Sequence, residues 1–170
     1  MSRQDSISAE CDSLVKRFRT RDPFEIADGL GITIMWRDDF TKLKGMYRVV
    51  LKNRYIFLSS RLDEETARIV CAHEIGHDRL HRSLACGGTM LEFMLYNMTT
   101  RAEYEANVFA ANLLLPDEDV LELIFDYGYD AEQIARRMHT DVNLVALKIS
   151  HLNQRGYSFG ALDHRSDFLR

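Results

Sequence analysis

His73-Glu74-Ile75-Gly76-His77 is an HExxH sequence inside a segment that reads as helix. On a helix, His73 and His77 lie one turn apart and project from the same face. Two imidazoles placed in this way can share one zinc ion, while Glu74, at the flank of that face, can serve as general base toward a water that the ion activates. Five residues with three fixed positions are a short pattern. They become a site only if the rest of the chain supplies a third ligand and the right surroundings.

Catalytic zinc takes three protein ligands and leaves one position open. A third histidine in the HExxHxxGxxH arrangement is excluded, because Asp78-Arg79-Leu80-His81 follows His77. Helical drift carries His81 too far to join the same tetrahedron, which leaves it a supporting or surface polar role. A glutamate from a second helix is the alternative, and Arg101-Ala102-Glu103-Tyr104-Glu105-Ala106-Asn107 offers two. Glu103 shares its face with Ala106, Asn107 and Ala110, small residues that let one helix approach another closely. Asn107, one turn on, is placed to hydrogen-bond an imidazole and fix its tautomer. Glu105 shares its face with the bulkier Phe109 and Asn112, and stands as the alternative metal ligand. Thr100 and Glu103 also have the spacing of a capping box, in which Glu103 would bond only the backbone at the helix start.

These residues need elements to position them. A first helix is expected from about Ser8 to Arg19, and a short one after Asp22-Pro23, with Asp22 as cap and Pro23 as first helical residue. Ile32–Trp36, Gly45–Leu51 and Tyr55–Leu58 are rich in β-branched and aromatic residues and read as strands. Lys52-Asn53-Arg54 marks a hairpin between the last two, so a small antiparallel sheet precedes the motif helix. Lys42–Tyr47 is the expected edge that would bind an extended substrate. Ser59-Ser60 followed by Asp63-Glu64-Glu65 starts the motif helix, which runs to about His81. Residues 83–98, with Gly87-Gly88 and many Met, Phe and Leu, read as a segment packed over the core or over a cleft. A second helix from about Thr100 is closed by Pro116, and three shorter helices follow, at 117–127, 130–138 and 141–155. The division expected is 1–116 as the core with the chemistry, 117–156 as a helical C-terminal subdomain packed on it, and 157–170 as a tail.

Composition bounds the function. The chain has 170 residues, 46% hydrophobic and 28% charged, with a net charge of −4, and so has no bulk attraction for nucleic acid or anionic membrane. Its first residues lack the apolar core of a signal peptide, and no apolar run is long enough to span a bilayer, so a cytoplasmic protein is expected. Cys11, Cys71 and Cys86 lack CxxC spacing and read as reduced thiols.

HEIGH, followed by Glu103 in an ExxAN sequence and then by Phe109-Ala110-Ala111-Asn112-Leu113-Leu114-Leu115-Pro116, resembles the ImmA/IrrE family of bacterial metallopeptidases. Asp22-Pro23-Phe24-Glu25-Ile26-Ala27 with Leu30-Gly31-Ile32 is similar to that family's N-terminal segment. The resemblance implies an α+β, minimal zincin-like domain with a small sheet packed on the HExxH helix and a helical C-terminal part. It implies a single zinc ion on His73, His77 and Glu103, with Glu74 as the base. It also implies a protein substrate, a helix-turn-helix transcriptional repressor encoded nearby, whose cleavage would relieve repression of mobile-element or stress-response genes. The oxyanion donor stays open among Tyr96, Tyr104, His139 and His151.

Two rival functions stand beside this one, the first on the same ligands. One is a zinc-binding regulatory protein without proteolysis, for which Glu74 would have no use. The other is a DNA-binding regulator, since residues 131–155 have a helix-turn-helix-like spacing. Its second helix carries few basic residues, which argues against direct nucleic-acid binding.

Overall fold

The fold was obtained as a computed structural model that describes residues 3–83, the backbone of 91–93, residues 100–157 and residue 159. Apart from residue 83 and the backbone of 91–93, the expected packing segment 83–98, with Cys86 and Tyr96, lies outside the described residues, as does most of the tail.

Helix α1 (Arg3–Phe18) buries Ile7, Cys11 and Leu14, spaced to line one face. Helix α2 (Pro23–Gly29) begins as its sequence requires: Pro23 occupies the first turn and the Asp22 carboxylate accepts from the backbone N–H of Phe24 at 2.7 Å.

Three strands follow, β1 (Ile32–Arg37), β2 (Gly45–Val50) and β3 (Asn53–Ser59). The hairpin turn is Leu51-Lys52, both with positive φ (48° and 67°), and Asn53 already belongs to β3. Two left-handed residues match the twist of the flanking strands, so the turn forms one position earlier than the Lys-Asn-Arg reading expects. The sheet is also mixed where an antiparallel one is expected: β2 pairs antiparallel with β3, but β1 pairs parallel with β3. A short β4 (Leu91–Phe93) pairs antiparallel with β2, giving the order β1-β3-β2-β4. Gly45–Tyr47 is thus an interior pairing partner, and not the free edge that the sequence suggests.

Helix α3 (Glu64–Leu80) carries the HExxH motif and is capped by Asp63, whose carboxylate accepts from Thr66 N–H at 2.7 Å. The cap is therefore the acid, and the serines at 59 and 60 belong to the end of β3 and the turn after it. Every residue from Ile69 to Asp78 is buried, so the helix is enclosed on all sides. It packs on β2 and β3 and against α4 (Arg101–Leu114). Helices α5 (Asp117–Phe125), α6 (Ala131–Met138) and α7 (Val142–Gln154) complete the described chain. Helix α7 lies on α4 and buries Leu144, Val145, Leu147, Lys148, Ile149, His151 and Leu152. The helix that a helix-turn-helix would offer to DNA is therefore largely committed to the protein interior.

Candidate metal centre

The contact between α3 and α4 is set by small residues. A Cβ added to Gly76 would meet Ala106 Cα at 3.1 Å and Phe109 Cβ at 3.2 Å, so the absent side chain is what lets the helices touch here. On either side of that contact stand His73 and His77 from α3 and Glu103 from α4, each of them buried.

Their ligating atoms converge. His73 Nε2 lies 3.0 Å from His77 Nε2, 3.2 Å separates His73 Nε2 from Glu103 Oε2, and 3.3 Å separates His77 Nε2 from Glu103 Oε1. A tetrahedral ion with bonds of about 2.0–2.1 Å sets its ligand atoms roughly 3.3 Å apart. The triangle already has that size. Among the described residues these three form the only His, Cys, Asp and Glu group able to hold a metal ion.

Protonation fits as well. Burial lowers His73 to about 4, only partly opposed by Glu103 and Asn107, so its ring is neutral at pH 7. Burial would raise Glu103, but hydrogen bonds and charge from His73 and His77 outweigh it and hold the carboxyl at about 2. A bare imidazole nitrogen and an ionised carboxylate are the states that a cation requires.

Glu74 is fully buried, and neither carboxylate oxygen has a hydrogen-bond partner among the described residues. Burial and the charge of Glu103 push it well above the usual carboxylate range, against a small opposing influence of the Tyr47 backbone. A buried acid without a partner is costly, and a neighbouring cation would offset that cost. Gly45 on β2 makes room for it: a Cβ there would lie 2.3 Å from Val70 Cγ1 and 3.0 Å from Glu74 Oε1. Nothing in the sequence around Gly45 signals this role, because the clash runs across the sheet into a distant helix.

The supporting residues fall partly as expected. His73 Nδ1 lies 3.0 Å from Asn107 Oδ1, the contact anticipated for Asn107. Thr100 Oγ accepts from Glu103 N–H at 3.2 Å, so half of the capping box forms while the Glu103 side chain turns to the histidines. Cap and cluster are compatible. Glu105 stands apart from the triangle: its oxygens take Arg3 at 2.6 Å, Arg101 at 2.7 Å and His81 at 3.1 Å. Of the two acids, the geometry brings only Glu103 to the histidines.

Among the oxyanion candidates, His151 bonds Ser8 and Gln4, and the Tyr104 hydroxyl accepts from Gln4, which turns both toward α1. His139 caps α6 beside a surface cleft shared with Glu65 and Arg136. Sequence reasoning missed Asp78, buried next to His77, which accepts the Tyr47 hydroxyl at 2.7 Å, Arg54 at 3.2 Å and Arg82 at 2.9 Å, so tying the motif helix to the sheet.

A minimal mixed sheet, an enclosed HExxH helix and a glutamate from the next long helix define a metallopeptidase-type protein. The chain belongs to the peptidase M78 family, the IrrE N-terminal-like domain, which matches residues 27–150. Two relatives agree with this. "Uncharacterized immunity region protein 2" of Bacillus phage phi105 is 35% identical over 111 residues, 65% of this chain and 69% of that protein. Metallopeptidase ImmA of Bacillus subtilis (strain 168) is 24% identical over 151 residues, 86% of this chain and 85% of that protein.

Proposed function

We propose that the protein is a zinc-dependent endopeptidase whose substrate is a specific transcriptional repressor, cleaved to relieve repression of mobile-element or stress-response genes. The observation that carries the catalytic part is Glu74, buried beside the His73–His77–Glu103 triangle and without a hydrogen-bond partner among the described residues. Support for proteolysis comes from the metallopeptidase name of one relative, and support for a repressor substrate from the immunity-region name of the phage relative.

In this reading His73, His77 and Glu103 hold one zinc ion, with Asn107 fixing the His73 ring. Bound zinc supplies Lewis acidity, which brings the pKa of a water toward 7 and polarises the scissile carbonyl. Glu74 accepts the proton of the attacking water at its carboxylate and returns it to the leaving amine. The enclosure of α3 keeps bulk solvent from Glu74, so that the carboxylate is not levelled by water. Residues 1–116 hold this chemistry and 117–156 form the helical subdomain that braces it. No helix among the described residues is long and apolar enough to cross a membrane, and we place the protein in the cytoplasm, where a repressor would be met.

Glu74→Gln preserves size and removes the base. Incubated with a helix-turn-helix repressor encoded beside the gene, this variant should retain one zinc per chain and cleave at least about a hundredfold more slowly than wild type. Cleavage at the wild-type rate would rule out the mechanism. A variant that loses zinc would instead show Glu74 to be a ligand. The non-proteolytic alternative is disfavoured because a purely structural zinc site gains nothing from a buried free carboxylate.

A further inference from the structure

We infer that His81 and Glu105 are positioning residues for the metal centre: they form a relay, anchored on the N-terminal helix, that fixes the proton of His77. The inference rests on the reading of His77 as a metal ligand.

A neutral imidazole carries one N–H, and the nitrogen offered to a metal must be the bare one. For His77 that nitrogen is Nε2, which faces His73 Nε2 at 3.0 Å and Glu103 Oε1 at 3.3 Å. Its proton then sits on Nδ1 and needs an acceptor. The group within reach is His81 Nδ1, at 3.3 Å. His81 lies one turn further along α3, so the helix itself delivers it to the back of the His77 ring.

For His81 to accept at Nδ1, its own proton must be on Nε2. That atom lies 3.1 Å from Glu105 Oε2. A carboxylate accepts only when ionised, and here the ionised form is enforced: Arg3 donates Nε at 3.0 Å and Nη2 at 2.6 Å to Oε2, and Arg101 donates Nε at 2.7 Å to Oε1. The chain therefore has one polarity. Glu105 cannot donate, so His81 donates to it, and His77 donates to His81. His73 is oriented by a different device, the amide oxygen of Asn107 at 3.0 Å.

The competing account is that Glu105 only clamps α1 to α4, with His81 filling space beside it. The two differ in what zinc experiences. Losing the partner of a ligating imidazole typically weakens metal binding by about 10–100-fold, whereas a packing defect changes stability with the site intact. In competition with a chromophoric chelator, His81→Phe should therefore bind zinc about 10–100-fold more weakly than wild type. His81→Asn should recover most of that loss, because Asn Oδ1 is as many bonds from Cα as His Nδ1 and can accept from His77. Long-range proton–nitrogen NMR of the zinc-loaded wild type should show the proton on Nδ1 of His77 and on Nε2 of His81. This readout does not depend on whether the variants fold.

Folded His81→Phe with wild-type zinc affinity, or His81 protonated at Nδ1, would overturn the relay alone. Failure of the wild-type chain to bind zinc at all would overturn the relay and the reading of His77 together.

Discussion

Helix α4 serves two polar clusters, one at each end, the first buried and the second built on the buried Lys148 with Asp117 and Arg155 at its partly exposed side. Near its start, Glu103 and Asn107 face the motif histidines, where Glu74 has no hydrogen-bond partner among the described residues. Near its end, Asn112 accepts from the buried Lys148 ammonium at 2.7 Å, Lys148 also pairs with Asp117, and Asp117 pairs with Arg155. Both clusters take charge out of water. The second is closed: positive and negative groups face each other and the donors are used. The first is open, with acid left over and imidazole nitrogens pointing at one another. Buried polar groups are normally satisfied, so an open cluster in an otherwise well-packed interior marks where an ion is expected, and a closed one marks architecture.

The contrast can be tested by asking which cluster responds to zinc. The largest effect belongs to the open one. At a thousand times its dissociation constant, zinc should raise the unfolding free energy by about 4 kcal/mol. Glu103→Gln should lose that increment, as read by denaturant titration with and without the metal. An unchanged increment would mean that the ion is held elsewhere.

A smaller effect belongs to the closed cluster. Asp117→Ala strands the Lys148 ammonium and should lower stability by about 3 kcal/mol, with zinc affinity unchanged. A coupled loss of zinc would show that the two ends of α4 are not independent.

The smallest effect is its pH dependence. Burial opposes ionisation of Asp117, but Lys148 and Arg155 outweigh it and hold the carboxyl below its ordinary 3.8. A carboxyl depressed in the folded state adds stability above its unfolded value and loses it as pH falls through the folded value. The stability gap between wild type and Asp117→Asn should therefore narrow below about pH 4, and a gap that widens in acid would reverse the assignment.

Legibility followed the range of the interactions. The one-turn spacing of His73 and His77, the small face around Glu103 and the cap at Asp22 are local, and the sequence states them. The parallel pairing of β1 with β3 was not legible, because it depends on which strand the hairpin presents to β1. The same holds for Gly45, whose constraint comes from Val70 and Glu74 across the sheet, and for Asp78, whose partners come from two strands and from Arg82 just past the cap of its own helix. Glu103 was legible in two possible uses: its backbone N–H takes the Thr100 cap, while its side chain turns to the motif histidines and not back to the helix start.

Gly76 carries one more consequence. The triangle has two corners on α3 and one on α4, so the distance between those helices would also be the gauge of any ion held there. A methyl group at position 76 would press on Ala106 backbone atoms at 3.1 and 3.3 Å, which cannot swing aside as a flexible side chain would. The helices would have to part by a few tenths of an ångström, and the opening would stretch the two edges that join them, His73–Glu103 and His77–Glu103, which a small metal needs short. In Gly76→Ala, affinity should thus shift from zinc toward larger divalent ions such as manganese, measurable as a changed ratio of their dissociation constants. An unaltered ratio would mean that the helices yield somewhere else. A shifted ratio would mean that a residue with no side chain selects the ionic radius, through the helix spacing alone.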